Sequence, residues 1–143
     1  MCIRDSYRTY GDWNGDGNLD LAVVVAGEES IEVYRGDGLG NFKMLSRHET
    51  GVNPHGLTSG DFNQDGNLDL AVSNRTSGGI TIFLGKGNGN FENTSSIYTG
   101  NDGIAIANGD FDGDGAIDLA MVSASSHSLL FYRGDGKGGF NPW

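Results

Sequence analysis

Cysteine is nearly absent: Cys2 is the one thiol among 143 residues, so no disulfide can form within the chain. Basic residues are scarce, 9 against 19 acids, and a net charge of -10 excludes a nucleic-acid binder that works by neutralising phosphates. The longest apolar run, Leu21 to Ala26, is far short of the roughly 20 residues a membrane-spanning helix needs. No stretch keeps a helical hydrophobic period, and no secretory signal is visible. Proline occurs twice, and the 25 glycines follow no three-residue period, which excludes a collagen-like chain.

Glycine together with many Asn and Asp residues instead specifies tight turns. The turns recur. GDWNGDGNLDLAVV starts at Gly11, GDFNQDGNLDLAVS at Gly60 and GDFDGDGAIDLAMV at Gly109, an offset of 49 residues both times. A second segment keeps the same register: VYRGDGLGNF from Val33, IFLGKGNGNF from Ile82 and FYRGDGKGGF from Phe131. Met1 to Ser6 match nothing in the repeat and resemble a translated sequencing adaptor; they are set apart as non-native, which places the true start upstream of Tyr7. The chain then divides into repeats over 7–52, 53–101 and 102–143, the last one truncated.

Each repeat reads as four short strands, in the middle copy Gly56 to Gly60, Leu68 to Ser73, Ile80 to Leu84 and Phe91 to Tyr98. Alternation sets Leu68, Leu70 and Val72 on one face and Asp69 and Ala71 on the other. Glycine turns join the third and fourth strands, since glycine tolerates the positive φ of hairpin turns. Four strands per 40–50 residues is the spacing of a propeller blade. The expected fold is all-β, three consecutive four-stranded blades forming an open fragment of a ring.

From Tyr7 to Trp143 the pattern resembles the FG-GAP/VCBS-type repeats of integrin α-chain-like β-propellers. The resemblance implies a seven-bladed ring on a surface or secreted protein. Seven blades at this repeat length need roughly 340 residues, so further blades of the same chain are expected in a longer protein.

The carboxylates follow D-x-[DN]-x-D-G-x-x-D. The loops offer Asp12, Asn14, Asp16, Asn18 and Asp20; then Asp61, Asn63, Asp65, Asn67 and Asp69; then Asp110, Asp112, Asp114, Ala116 and Asp118. Calcium takes six to eight hard oxygen ligands, and acids at positions 1, 3 and 5 can converge on one ion if the chain curls tightly. Gly17, Gly66 and Gly115 at position 6 permit that curl. Ala116 has no side-chain oxygen, so position 7 must contribute its backbone carbonyl. The ninth-position Asp starts a strand and points back to the loop, while Leu19 and Leu21 point to the core.

Removing the ten aspartates at these positions leaves nine acids facing nine bases, so the whole net charge sits in three loops. Clustered carboxylates repel unless a cation or protons neutralise them. Ordinary Asx-rich turns would explain one such loop but not three in register. An EF-hand needs Glu at position 12, where Val23, Val72 and Met121 stand, and dockerin-like loops fail likewise. Magnesium prefers fewer carboxylates and retained water. Three structural Ca²⁺ sites are therefore expected. Affinities of extracellular modules, Kd about 10⁻⁴–10⁻³ M, point to an extracellular, cell-surface or periplasmic location.

No catalytic residue is assigned. The converging carboxylates are committed to metal, and His48, His55 and His127 do not recur in the repeat and read as solvated loop residues. Arg35-Gly36-Asp37 and Arg133-Gly134-Asp135 spell RGD, but the middle copy has Leu84-Gly85-Lys86, so the tripeptide reads as turn chemistry. The recurring aromatics Trp13, Phe62, Phe111, Phe42, Phe91, Phe140, Tyr34, Phe83 and Tyr132 read as inter-blade core. The expected function is a calcium-stabilised module for protein–protein interaction or adhesion, with a protein or glycan ligand. The alternative is a carbohydrate-binding or accessory propeller of a secreted polysaccharide-acting enzyme.

Overall fold

The computed structural model describes residues 7–100 and 102–143. The adaptor-like residues Met1 to Ser6, with Cys2, lie outside the described residues. Twelve strands form three antiparallel four-stranded meanders. The first holds β1 (Arg8–Gly11), β2 (Asp20–Val25), β3 (Ser30–Gly36) and β4 (Phe42–Glu49). The second holds β5 (Pro54–Gly60), β6 (Asp69–Asn74), β7 (Gly79–Gly85) and β8 (Phe91–Tyr98), matching the four expected strands to within two residues at each end. The third holds β9 (Gly103–Gly109), β10 (Asp118–Ser123), β11 (Ser128–Gly134) and β12 (Phe140–Pro142). The one helical turn among the described elements is the short 3-10 segment Ala26–Glu28. Among the described residues no helix is long and apolar enough to cross a membrane.

Strand pairing repeats with the sequence. Gly11 pairs Asp20, Gly60 pairs Asp69 and Gly109 pairs Asp118; Leu21, Leu70 and Leu119 pair Tyr34, Phe83 and Tyr132. Both prolines stand at strand ends, where a missing N–H costs no central ladder bond.

The core lies between the sheets. Ala22, Val24, Ile31 and Val33 on one face of the first blade pack on Leu57, Leu70, Val72 and Phe83 of the second. The second blade's other face, Ala71, Ile80 and Ile82, packs on Leu119, Met121 and Tyr132 of the third. Central strand β6 is buried at every position, because the middle blade has a neighbour on both sides. β2 alternates between buried and half-buried, and β10 leaves Val122 exposed. Leu19, expected to point into a core, is largely exposed, whereas its equivalents Leu68 and Ile117 pack against the two cores; among the described residues no blade lies on the outer face of the first sheet.

Polar contacts join the innermost strands as well. The Thr9 and Ser59 hydroxyls lie 3.2 Å apart, the Thr58 hydroxyl donates to the Asn108 side-chain oxygen, and His55 Nδ1 is 2.9 Å from the Ile104 carbonyl. The three blades form an open stack rather than a closed ring.

Candidate metal centre

Each acidic loop joins the innermost strand of its blade to the second. In the first loop the Asp12 carboxylate accepts the N–H groups of Gly15 (2.8 Å), Asp16 (3.1 Å) and Gly17 (2.8 Å). Asn14 Oδ1 accepts Asp16 N–H, and Asp16 Oδ1 accepts Asn18 N–H, both at 2.9 Å. The second loop repeats the scheme: Asp61 accepts from Asp65 and Gly66, Asn63 from Asp65, and Asp65 from Asn67. In the third, Asp110 accepts from Gly113 and Gly115, Asp112 from Asp114, and Asp114 from Ala116. These are nested Asx turns, in which a short side chain satisfies the backbone donors ahead of it. They force φ to +84°, +88° and +90° at Gly17, Gly66 and Gly115, the curl that position 6 was expected to supply.

The ninth-position aspartates do turn back to the loop, and they are fully buried. Asp69 Oδ2 accepts Phe62 N–H at 2.7 Å and Oδ1 accepts Gly85 N–H at 2.8 Å. Asp20 accepts from Trp13 and Gly36, and Asp118 from Phe111 and Gly134. One carboxylate thus rivets the acidic loop to the end of the third strand in every blade. The glycine at that end is obligatory: a Cβ on Gly85 would sit 2.2 Å from the Leu68 carbonyl oxygen, and the same clash, 2.1 Å, meets Gly36 and Gly134. Burial pushes the Asp69 carboxyl above its ordinary value, against the pull of the Gly85 and Phe62 N–H groups. The exposed position-5 acids behave oppositely. Asn18 N–H holds Asp16, and Asn67 N–H holds Asp65, below the usual carboxylate range, which keeps them ionised.

Among the described residues, one set of three acids offers oxygens that all lie within 4.8 Å of one another: Asp110, Asp112 and Asp118. Positions 1, 3 and 9 of the third loop therefore converge. Position 5, Asp114, is not in this set, and the first two loops, with Asn14 and Asn63 at position 3, bring no such acidic trio together. The donor chemistry suits a hard cation. Each carboxylate has about four lone-pair sites, and backbone donors occupy only some of them. At position 7, the amide oxygens of Asn18 and Asn67 lie against Gly38 and Gly87 of the neighbouring glycine turns, so side-chain ligation there would need a rotation. Ala116 is buried and has only its carbonyl to give.

Two cationic side chains, unassigned in the sequence reading, reach these loops. Arg35 Nε lies 3.0 Å from Asp16 Oδ2, and Arg133 Nη2 lies 2.5 Å from Asp112 Oδ2. Their equivalent in the middle blade is Leu84, and that variation hid the contact. It also explains the RGD tripeptides. Arg35 is paired with Asp16, Gly36 is buried beneath Leu19, and the Asp37 carboxylate caps its own turn through Leu39 and Asn41 N–H. Two histidines correct the expectation of solvated loop residues. His48 lies on β4, half-buried between Phe83 and Phe91 of the next blade, and His55 lies on β5 beside Tyr7.

Four-stranded meanders that stack face to face, each opened by one acidic turn, define a repeat protein of propeller blades. A family model described as FG-GAP-like repeat matches residues 12–72 and again 61–121, and the chain belongs to that family. No curated protein sequence matches it. Among solved structures it is similar to the crystal structure of BBS1N in complex with ARL6DN, soaked with lead, at 13% identity and a TM-score of 0.41. That likeness covers 94% of this chain and 54% of the other, so the chain spans about half the length of that structure.

Proposed function

We propose that this FG-GAP-like repeat chain is a calcium-binding propeller module for extracellular protein–protein interaction or adhesion, with one Ca²⁺ structurally stabilising each blade. The observation that carries the reading is the convergence of Asp110, Asp112 and Asp118 in a loop whose ligand pattern recurs, in register, in the other two blades. Asp16 and Asp65, held ionised by backbone donors, keep negative charge in the first two loops. An ion at each loop would screen carboxylates that otherwise repel, and its binding energy would add to folding energy in a chain without disulfides. A cation entering the third loop would displace the Arg133 guanidinium from Asp112. Extracellular calcium modules have Kd of about 10⁻⁴–10⁻³ M, and sites in that range would fill outside the cytosol, which supports an extracellular reading. Its role is non-catalytic: the loops at the blade ends would carry a protein or glycan ligand, and further blades of a longer chain would extend the binding rim.

Calcium titration by calorimetry tests the reading. The expected stoichiometry approaches three ions per chain, with melting temperature rising in calcium over EDTA by mass action. Absence of binding at millimolar calcium would refute it.

A further inference from the structure

Adjacent acidic loops touch where two blades join. At position 2 of the second loop, the Phe62 carbonyl accepts Gly138 N–H of the third blade at 3.1 Å, and the Phe62 ring meets Phe140 edge-on at 5.5 Å. Gln64 follows at position 4. Its side-chain amide donates to the Gly115 carbonyl, position 6 of the third loop, at 2.9 Å. The same amide lies over the third blade's glycine turn, where a Cβ on Gly136 would be 3.4 Å from it. The backbone beneath is unfavourable for a side chain: Gln64 has φ +60°, in the left-handed region that a Cβ disfavours. Glycine fills position 4 in the other two loops, Gly15 at φ +72° and Gly113 at +78°.

The first seam offers the same seat without the side chain. The Trp13 carbonyl accepts Gly89 N–H at 2.8 Å, so the first loop sits on the second blade as the second sits on the third. A Cβ on Gly15 would lie 3.8 Å from the Gly87 carbonyl, the equivalent of Gly136. In the second loop the bridge starts from backbone that shapes the acidic cradle: Gln64 stands between Asn63 and Asp65, and Asp65 N–H donates to Asp61 and Asn63 at 3.1 Å each. In the third loop it ends on the peptide joining Gly115 to Ala116. Gln64 holds the oxygen of that peptide, and Asp114 accepts its N–H at 2.8 Å. The next carbonyl along the chain is that of Ala116, the ligand that position 7 can offer.

We infer that Gln64 couples the second and third loops, so that a divalent cation held in one raises the affinity of the other, while the first loop fills on its own. The inference rests on the calcium reading and adds regulation to those sites. Closing the second loop on an ion fixes the backbone that carries Gln64. The bridge then steadies the peptide between Gly115 and Ala116, so the third loop has less freedom left to lose on binding. The coupling is reciprocal, as any linkage of binding free energies must be. One exposed hydrogen bond between neutral groups sets its size, about two- to fivefold in affinity.

The experiment is a calcium titration followed by NMR at the amides of Gly17, Gly66 and Gly115. Each N–H donates to the position-1 carboxylate of its own loop, at 2.8, 2.9 and 3.0 Å, so the three loops are read separately. Asp61→Ala disables the second loop. Gln64→Gly removes the bridge while placing at position 4 the residue the other two loops carry, so the sheet is expected to be unchanged. With Gln64 present, Asp61→Ala is expected to weaken calcium at Gly115 by about two- to fivefold more than it does in the Gln64→Gly background; that comparison cancels the effect of the lost charge. Gly15→Gln is expected to install the missing coupling, so that Asp12→Ala then weakens calcium at Gly66. An equal effect of Asp61→Ala at Gly115 with glutamine or glycine at position 4 would overturn the coupling and leave the calcium reading standing. Millimolar calcium that shifts none of the three glycine resonances would overturn both.

Discussion

Asp69→Ala should unfold the joint between loop and sheet, whether or not calcium is present. The carboxylate is fully buried and accepts Phe62 N–H at 2.7 Å and Gly85 N–H at 2.8 Å. Hydrogen bonds to a charged acceptor contribute about 1.5–3 kcal/mol each, and buried donors left without a partner cost about as much. Two such bonds give roughly 3–6 kcal/mol. Part is offset, because burial penalises the charge and raises the carboxyl's pKa. A net loss of about 2–4 kcal/mol is expected, roughly 5–15 °C in melting temperature for a chain of this size. Asp69→Asn keeps one acceptor and sets an amide N–H against the other donor, so its loss should be intermediate. The assay is urea unfolding in EDTA, where metal cannot contribute. A change under about 1 kcal/mol for Asp69→Ala, comparable with extrapolation error, would refute the rivet. A loss seen only in calcium would make Asp69 a ligand instead.

Burial among Phe83 and Phe91 holds His48 below its ordinary pKa, so its contribution to stability is full above about pH 6.5 and is lost as pH falls towards its lower folded value. His48→Ile, which installs the residue found at the equivalent Ile97, should flatten the decline below about pH 6.5 in EDTA; an unchanged slope in denaturant titrations would count against it. The Asp16 and Asp65 carboxyls, held low, act in a separate window: the stability they add is lost only as pH falls below about 4. Arg133→Leu removes the guanidinium from Asp112 and should tighten calcium binding at the third loop by roughly two- to fivefold, the scale of a solvent-screened ion pair; calorimetry showing equal or weaker affinity would contradict the competition.

Much of the fold is legible in the sequence because a tandem repeat compares itself. Gly11, Gly60 and Gly109 recur with the strand-opening Asp20, Asp69 and Asp118, and period-2 alternation places the strands between them. The acidic loops are equally local. Asx turns and a positive-φ glycine close within six residues, so spacing alone specifies them. Contacts between distant residues are another matter. That Asp69 spends its oxygens on Phe62 and Gly85, and that Gly85 admits no Cβ because the Leu68 carbonyl lies against it, depends on how two hairpins meet. Arg133 finds Asp112 across twenty-one residues, and the substitution of Leu84 in the middle blade conceals the position.

What the sequence determined by itself is therefore the blade: its period, its four strands, its glycine turns and its acidic loop, all set by interactions between near neighbours. Only the tertiary structure decided which equivalent residues do the same work. Phe62 and Phe111 are the same residue type at the same repeat position, yet one is buried and the other exposed. The cause is not in either segment; burial requires a second surface, and among the described residues Phe62 meets Phe140 of the next blade while Phe111 meets Phe131 of its own.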